Sequence, residues 1–153
     1  MKISAIELEM AIKLLLAIIV GGVIGWQRKK TKASKSLFRT NILVAIGSVL
    51  VTMIGLHMSN ITGNIDIARM PSQIISGIGF LGMGVIVKNG LTVSGLSTAA
   101  TLWVVGCLGI AIGMGFYFIS ILATIAILII LIVFKDENNN IEENCSSNSL
   151  ESI

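Results

Sequence analysis

The chain has 153 residues, of which 54% are hydrophobic and 12% are charged, and its mean hydropathy is +0.93. A soluble domain of this length could not bury so much apolar surface, so the composition predicts an integral membrane protein. The formal charge of +3 does not indicate a nucleic-acid partner, because six of the eleven basic residues are concentrated between Arg28 and Arg39.

The first three apolar segments predict three transmembrane helices. A helix needs about 20 largely apolar residues to cross a hydrocarbon core of roughly 30 Å. Segments at about 6–26, 41–58 and 71–87 approach or meet that length. The first segment is expected to be retained rather than cleaved as a signal peptide. Glu7 and Glu9 interrupt the positively charged n-region that a signal peptide needs, and no small-residue cleavage site precedes the basic loop.

The fourth apolar segment is too long for one helix. Residues 96–134 contain no charged side chain, and at 1.5 Å per residue they would form about 58 Å of helix. The chain is therefore expected to turn at Gly113-Met114-Gly115, where glycine gives flexibility and Phe116 and Tyr117 supply an interfacial anchor. The resulting spans are about 96–113 and 116–134, which brings the predicted total to five in an all-α fold.

The basic residues predict the orientation, because lysine and arginine in short loops are retained on the cytoplasmic side. The first loop is expected in the cytoplasm and the N-terminus outside, so that Asp66 and Arg69 lie outside and Lys88 lies inside. Residues 1–135 would then form the membrane domain. The polar segment 136–153 is expected to be a disordered cytoplasmic tail. The basic residues that set this orientation are Arg28, Lys29, Lys30, Lys32, Lys35 and Arg39.

Glycines recur at short spacings in the predicted spans. The segment Gly77-Ile78-Gly79-Phe80-Leu81-Gly82 matches the dinucleotide fingerprint G-x-G-x-x-G, but no acidic residue occurs between Asp66 and Asp136 to bind a ribose, and no βαβ unit surrounds it. Close packing of neighbouring helices is the better interpretation. The residues assigned to packing are Gly21, Gly25, Gly77, Gly79, Gly82, Gly109 and Gly113.

Polar residues lie at the ends of the predicted spans. Asp66 and Arg69 suggest either a helix cap with an interfacial ion pair or the lining of a polar cavity. Lys13, inside the first span, is expected to pair with Glu9 or to extend its amine toward the interface. A group at the inner helix ends could form a shared polar patch or could only anchor the helices; its members are Arg39, Thr40, Asn41, Thr98, Thr101 and Trp103.

Four segments carry a resemblance to a known family: GGVIGWQRK at 21–29, LFRTNILVAIGS at 37–48, DIARMPSQIISGIGFLGMGVIVK at 66–88 and GLSTAATLWVVGCLGIAIGMG at 95–115. Together they resemble the MgtC/SapB family of bacterial inner-membrane proteins. The resemblance implies a five-span, multi-pass protein of the bacterial cytoplasmic membrane. Some members add a cytoplasmic regulatory domain, and this chain is expected to be a short form with the membrane domain only.

The resemblance also selects candidate functional residues. The family pattern has a glutamate before the arginine that follows the first span, where this chain has Gln27, so a role for that carboxylate is not carried over. The matching glycines include Gly77, Gly79, Gly82 and Gly95. The polar positions that match the family pattern are Arg39, Thr40, Asp66, Arg69, Gln73, Ser76, Thr98, Thr101 and Trp103.

Two functions follow as hypotheses. The resemblance implies a role in magnesium homeostasis at low magnesium, with virulence in pathogens, exerted by interaction with other integral membrane proteins. The alternative is a passive transporter of Mg²⁺ or another ion, for which Asp66 is a weak candidate ligand, since Mg²⁺ is usually bound through carboxylates. No catalytic arrangement is recognisable, and no cofactor is expected. Mg²⁺ would act as a ligand or a regulatory signal rather than as a cofactor. The expected partners are the lipid bilayer, another membrane protein and further copies of the chain, not nucleic acid.

Overall fold

The computed structural model describes residues 5–27, 34–63, 66–89 and 92–133. These residues form five helices and one β-hairpin, so the helical fold class is confirmed and the hairpin is an addition to it. The predicted tail at 136–153 lies outside the described residues. The elements are α1 (Ala5–Gln27), α2 (Ser34–Thr62), α3 (Arg69–Met83), β1 (Val87–Asn89), β2 (Thr92–Ser94), α4 (Leu96–Gly113) and α5 (Tyr117–Val133).

Three of the described helices, α1, α2 and α4, are long and apolar enough to cross a membrane, and α5 is a shorter apolar helix of 17 residues. Large apolar side chains cover the outside of the bundle. On α5, Phe118 is 78% exposed and Leu122 is 60% exposed. In water such a surface would drive aggregation, whereas the acyl chains of a bilayer solvate it. The bundle is therefore that of a membrane protein.

Helix α2 packs against α1 on one side and α4 on the other, and the core lies among these three helices. The side chains of Ile24 from α1, Val49 from α2 and Val105 from α4 are fully buried. Helix α5 closes the bundle against α4 and α1, and α3 packs against α4 and α2. The buried core cluster comprises Ala17, Val20, Ile24, Ala45, Val49, Met53, Val105, Leu108 and Ile112.

Helix α2 starts earlier than the predicted second span, at Ser34 rather than residue 41, and extends to Thr62. Its 29 residues would measure about 43 Å, longer than the hydrocarbon core. Hydropathy marks only the apolar part of such a helix. Lys35 and Arg39, expected in the first loop, thus belong to the first turns of α2, while residues 28–33 lie outside the described part of the chain.

Helix α3 ends earlier than predicted, at Met83 instead of residue 87. The chain then turns, and Val87–Asn89 pairs antiparallel with Thr92–Ser94, with Asn89 opposite Thr92. The predicted end was wrong because the residues after the helix are apolar and hydropathy alone cannot distinguish them from a continuing span. The β-branched residues here favour a strand. Gly90, the first of the two positions between the paired residues Asn89 and Thr92, is a further hairpin signal in the sequence.

The predicted break after Gly113 is confirmed. Helix α4 ends at Gly113, and α5 begins at Tyr117. Gly115 adopts a φ of +89°, in the left-handed region that residues with a Cβ rarely occupy. This turn lets α5 fold back onto α4, as the length of the apolar segment required.

Candidate functional site

Glycines on α1 and α4 allow these helices to approach α2 closely. A Cβ added at Gly21 would lie 2.9 Å from the Asn41 carbonyl oxygen, and one at Gly25 would lie 3.1 Å from the Phe38 Cα. On the other side of α2, a Cβ at Gly109 would lie 2.6 Å from the Ser48 Cβ. We refer to the contacts of Gly109 and Gly113 with α2 as the α2–α4 seam; at Gly113 the distances are 2.8 Å to the Thr52 Cβ and 3.2 Å to the Val49 carbonyl oxygen.

The glycines of α3 behave differently from one another. A Cβ at Gly82 would lie 3.4 Å from the Ala99 Cβ on α4, an ordinary contact. Among the described residues, however, no atom lies within 4 Å of a Cβ built on Gly77 or Gly79. The contact that these two glycines were predicted to make is therefore absent within the described chain. The residue between them, Ile78, is buried instead and packs directly on Gly106 of α4.

The predicted inner patch separates into buried and exposed residues. Asn41 is 1% exposed and Thr101 is 6% exposed, so both face the packed interior. Arg39 and Trp103 are exposed, and Trp103 retains 45% of its accessible surface. Thr40 is half-buried, and its hydroxyl donates to the Ser36 carbonyl oxygen at 2.9 Å. Thr98, at the start of α4, is half-buried.

Asn41 is a polar side chain in the packed interior. Its Nδ2 donates to the Leu37 carbonyl oxygen at 3.0 Å. Its Oδ1 is buried and accepts no hydrogen bond from the described residues. The amide thus contributes one helix-internal bond and leaves an acceptor in a dry environment, which costs stability.

Asp66 and Arg69 lie at the start of α3, and both are exposed. The Asp66 Oδ1 accepts a hydrogen bond from the backbone N–H of Ala68 at 2.9 Å, and the Arg69 N–H donates to the Asp66 carbonyl oxygen at 3.1 Å. Ala68, not Asp66, is the N-cap residue of α3. Asp66 therefore organises the turn before the helix, but within the described ranges its carboxylate forms no ion pair with Arg69.

Lys13 and Glu9 form the predicted pair on α1. The Lys13 Nζ lies 2.8 Å from the Glu9 Oε1; the lysine side chain is 11% exposed and the glutamate side chain 59% exposed. The lysine therefore points into the bundle, and the carboxylate compensates its charge from the periphery. This confirms the pairing alternative.

Buried hydroxyl groups that the sequence analysis did not single out lie on α2 and α5. The Thr52 hydroxyl donates to the Ser48 carbonyl oxygen at 2.7 Å. The Ser120 hydroxyl donates to Phe116 at 2.8 Å, and the Thr124 hydroxyl donates to Ser120 at 2.7 Å. Each bond is made to a carbonyl four residues earlier, which satisfies the hydroxyl inside the packed bundle. The i, i+4 spacing of such residues within apolar runs is the signal that could have revealed them.

The described side chains do not form a site for a resident metal ion. No group of three or more histidine, cysteine, aspartate and glutamate residues that could hold a metal occurs among them. Asp66 is an exposed single carboxylate with one oxygen engaged in its own turn. Mg²⁺ requires octahedral oxygen coordination and keeps several of its waters, so one such carboxylate would hold it only weakly.

Comparison with known proteins decides the family. The model of the MgtC family matches residues 14–139. The chain belongs to the MgtC family. The match extends from within α1 through all of α5, so the whole described bundle from Leu14 onward is the MgtC-family region.

Curated proteins are similar to this chain over most of its length. Protein MgtC of Salmonella typhimurium is 38% identical over 133 residues, covering 86% of this chain and 55% of the relative. Protein MgtC of Brucella abortus is 40% identical over 112 residues, covering 73% and 45%. An uncharacterized protein of Synechocystis is 40% identical over 130 residues, covering 83% and 53%. The chain thus spans about half the length of the curated relatives it matches. No solved structure matches it.

Proposed function

We propose that this chain is a non-enzymatic membrane component of adaptation to low magnesium, which acts by binding other integral membrane proteins of the bacterial cytoplasmic membrane. The family membership supports the link to magnesium, because the similar curated proteins carry the name MgtC. We further propose that all five helices cross the membrane, with the N-terminus outside. In pathogens the same role would contribute to virulence.

The observation that carries this proposal is the α2–α4 seam. The nearest atoms of α2 lie 2.6–3.5 Å from the positions that a Cβ would occupy on Gly109 and Gly113. Helices in such contact leave no room for water between them, and therefore none for a hydrated cation. The buried hydroxyl of Thr52 beside the seam donates to its own helix rather than toward a channel. A tightly packed bundle suits a binding partner better than a conduit.

Such a partner would contact exposed residues near the inner ends of α2 and α4. Arg39 on α2 and Trp103 on α4 are both exposed there. Arginine and tryptophan supply a large share of the binding energy in protein interfaces, because they combine apolar area with hydrogen-bond donors. By contrast, the exposed residues of α5 after Phe118, such as Ile129, offer only aliphatic surface to lipid.

Photocrosslinking in cells grown at low magnesium tests the proposal. A photoreactive amino acid at Trp103 should give an adduct with another integral membrane protein, and the same amino acid at Ile129 serves as the matched control because both positions are similarly exposed, at 45% and 56%. Trp103→Ala should remove the interaction and the growth advantage at low magnesium together. Adducts equal at the two positions, or growth unaffected by Trp103→Ala, would contradict the proposal.

The proposed orientation has its own test. Single cysteines at Ser36 and Asn60, both exposed residues near opposite ends of α2, should react differently with a membrane-impermeant maleimide applied to intact spheroplasts, in protein whose native cysteines are replaced by serine. Labelling of Asn60→Cys but not Ser36→Cys supports an outer N-terminus. The opposite pattern would reverse the topology.

Passage of Mg²⁺ or another ion remains the second candidate, and one observation favours it. Asn41, Ser48 and Thr52 are all buried and lie on one face of α2. They extend over about 16 Å of the helix, roughly half of the hydrocarbon thickness. A polar row of this kind could supply ligands if the α2–α4 seam opened, and ion flux through reconstituted protein is the measurement that distinguishes the two functions.

A further inference from the structure

Helix α3 has one packed face and one face that no described residue covers. Ile78 and Gly82 are buried against α4. At 100° per residue, the side directly opposite carries residues spaced three and four apart, all of them exposed. We call this the outer face of α3; it consists of Arg69, Gln73, Ser76, Phe80 and Met83.

The outer face carries polar groups without partners. Neither the Gln73 amide nor the Ser76 hydroxyl forms a hydrogen bond with any described part of the chain. Other hydroxyls in the apolar helices, such as Thr52 and Thr124, donate to the carbonyl four residues earlier. If α3 crosses the membrane, as proposed above, Gln73 and Ser76 are presented to hydrocarbon, where an unpaired amide is unfavourable and cross-helix hydrogen bonds are favoured.

The outer end of α3 carries two opposite charges that form no ion pair with the described residues. Asp66 and Arg69 are exposed, and no ion pair joins either of them to another residue in the described ranges. The carboxylate keeps Oδ2 available, because its hydrogen bond to Ala68 uses Oδ1. Arg69, the first residue of α3, continues the line of Gln73 and Ser76 toward the membrane surface, and Asp66 lies three positions earlier, in the turn before the helix.

We propose that the outer face of α3 is the contact through which two copies of this chain associate side by side in the membrane. Copies inserted in the same direction are related by a two-fold axis along the bilayer normal, which brings the outer ends of both α3 helices together. Asp66 of each copy can then pair with Arg69 of the other. The Gln73 amide has both donors and an acceptor, so two of these amides can bond to each other across the axis.

The face is also shaped for close approach. Ser76 lies at its centre, and Gly77 and Gly79 lie on its two flanks with no described atom within 4 Å of a Cβ. Small residues let two helix backbones approach in a membrane, and Gln73 can then reach its equivalent. Phe80 is 76% exposed and Met83 is 71% exposed, and they would pack against the same residues of the second copy. This inference goes beyond the proposed function, since it concerns contact between identical chains.

Disulfide crosslinking in liposomes that contain only the purified full chain tests the contact. With the native cysteines replaced (Cys107→Ser, Cys145→Ser), Ser76→Cys should form covalent dimers under mild oxidation. Ile129→Cys, on the exposed face of α5, is the control and should not. No dimers from Ser76→Cys, or equal dimers from both, would overturn the proposal. Because no other protein is present, the outcome is independent of whether the chain binds a heterologous partner.

The charges provide a second test that does not depend on one variant. Energy transfer between labelled copies should fall for Asp66→Arg alone and for Arg69→Asp alone, because like charges then meet across the axis. Mixing copies that carry Asp66→Arg with copies that carry Arg69→Asp should restore transfer, since both cross-pairs again join opposite charges. Failure of the mixture to recover, when each protein elutes as folded in detergent, would contradict the arrangement.

The Gln73 amide is tested by Gln73→Leu, which removes the amide and places an apolar side chain of similar size on the exposed face. The association constant for dimerisation should fall about tenfold, as expected for loss of a hydrogen bond between membrane helices. Ile125→Leu on the exposed face of α5 is the control and should leave the constant unchanged. If Gln73→Leu dimerises as well as the unmodified chain, the self-contact does not use this face. If Ser76→Cys forms adducts in cells only with a different membrane protein, the occupant is that protein and the proposal of a second copy is wrong.

Discussion

Replacing Gly109 with alanine should destabilise the bundle. A Cβ at this position would lie 2.6 Å from the Ser48 Cβ and 2.8 Å from the Ala45 carbonyl oxygen. The second of these atoms belongs to the backbone of a buried helix and cannot move without shifting α2. Accommodating the methyl group therefore requires α4 and α2 to separate.

The magnitude follows from two opposing terms. Overpacking of a well-packed interior typically costs about 1–3 kcal/mol. Replacing glycine with alanine inside a helix contributes about 1 kcal/mol in the other direction. Gly79→Ala is the matched control, because a Cβ there meets no described atom within 4 Å. The propensity term cancels between the two variants, so Gly109→Ala should be less stable than Gly79→Ala by the overpacking term alone, about 1–3 kcal/mol.

Unfolding in mixed detergent micelles, followed by the fluorescence of Trp26 and Trp103, measures this difference. Gly109→Ala should unfold at a lower mole fraction of denaturing detergent than the original chain, and Gly79→Ala at the same or a higher one. Equal midpoints for the two variants would refute the assignment of Gly109 to a close helix contact. Loss of stability in Gly79→Ala alone would place the tight contact on α3 instead.

Two further predictions concern other tight or buried positions. Gly95→Ala should destabilise the protein by about 1–3 kcal/mol, because Gly95 has a φ of +87° and an added Cβ would collide with the Val85 carbonyl oxygen. Gly84→Ala is the control and should be tolerated, because Gly84 has a φ of −65°. Thermal melting in detergent compares the two variants. Glu9→Gln should lower the melting temperature more than Lys13→Met, because it leaves a lysine that is 11% exposed without its carboxylate. The opposite order would show that the lysine reaches water.

The sequence was sufficient to predict the helix ends that are marked by the length of an apolar run or by a change to polar residues. The apolar run after residue 96 exceeded the membrane thickness, and Gly113 and Gly115 marked where it had to turn. The end of α3 could not be found in this way, because Val85, Ile86 and Val87 are as apolar as the helix before them. Only the β-branched residues and the following Gly90 distinguished a hairpin from a continuing span.

The candidate site was harder to predict, because glycine and polar residues do not reveal which face of a helix they occupy. Successive residues on a helix point about 100° apart. Since Ile78 is buried, Gly77 and Gly79 must lie to either side of the packed face of α3. Which face of α3 is packed depends on the positions of α2 and α4, which the sequence of α3 does not reveal. The same reasoning separates Asn41 and Thr101, which face inward, from Arg39 and Trp103, which face outward.

The most direct test of the proposed function is ion flux through the purified protein. The full chain reconstituted in liposomes loaded with a magnesium-sensitive dye should admit Mg²⁺ no faster than protein-free liposomes, because the α2–α4 seam is closed by contacts at Gly109 and Gly113. An ionophore added at the end confirms that the dye responds. Flux above the protein-free level that is reduced by Asp66→Ala would contradict the account and make the chain a transporter.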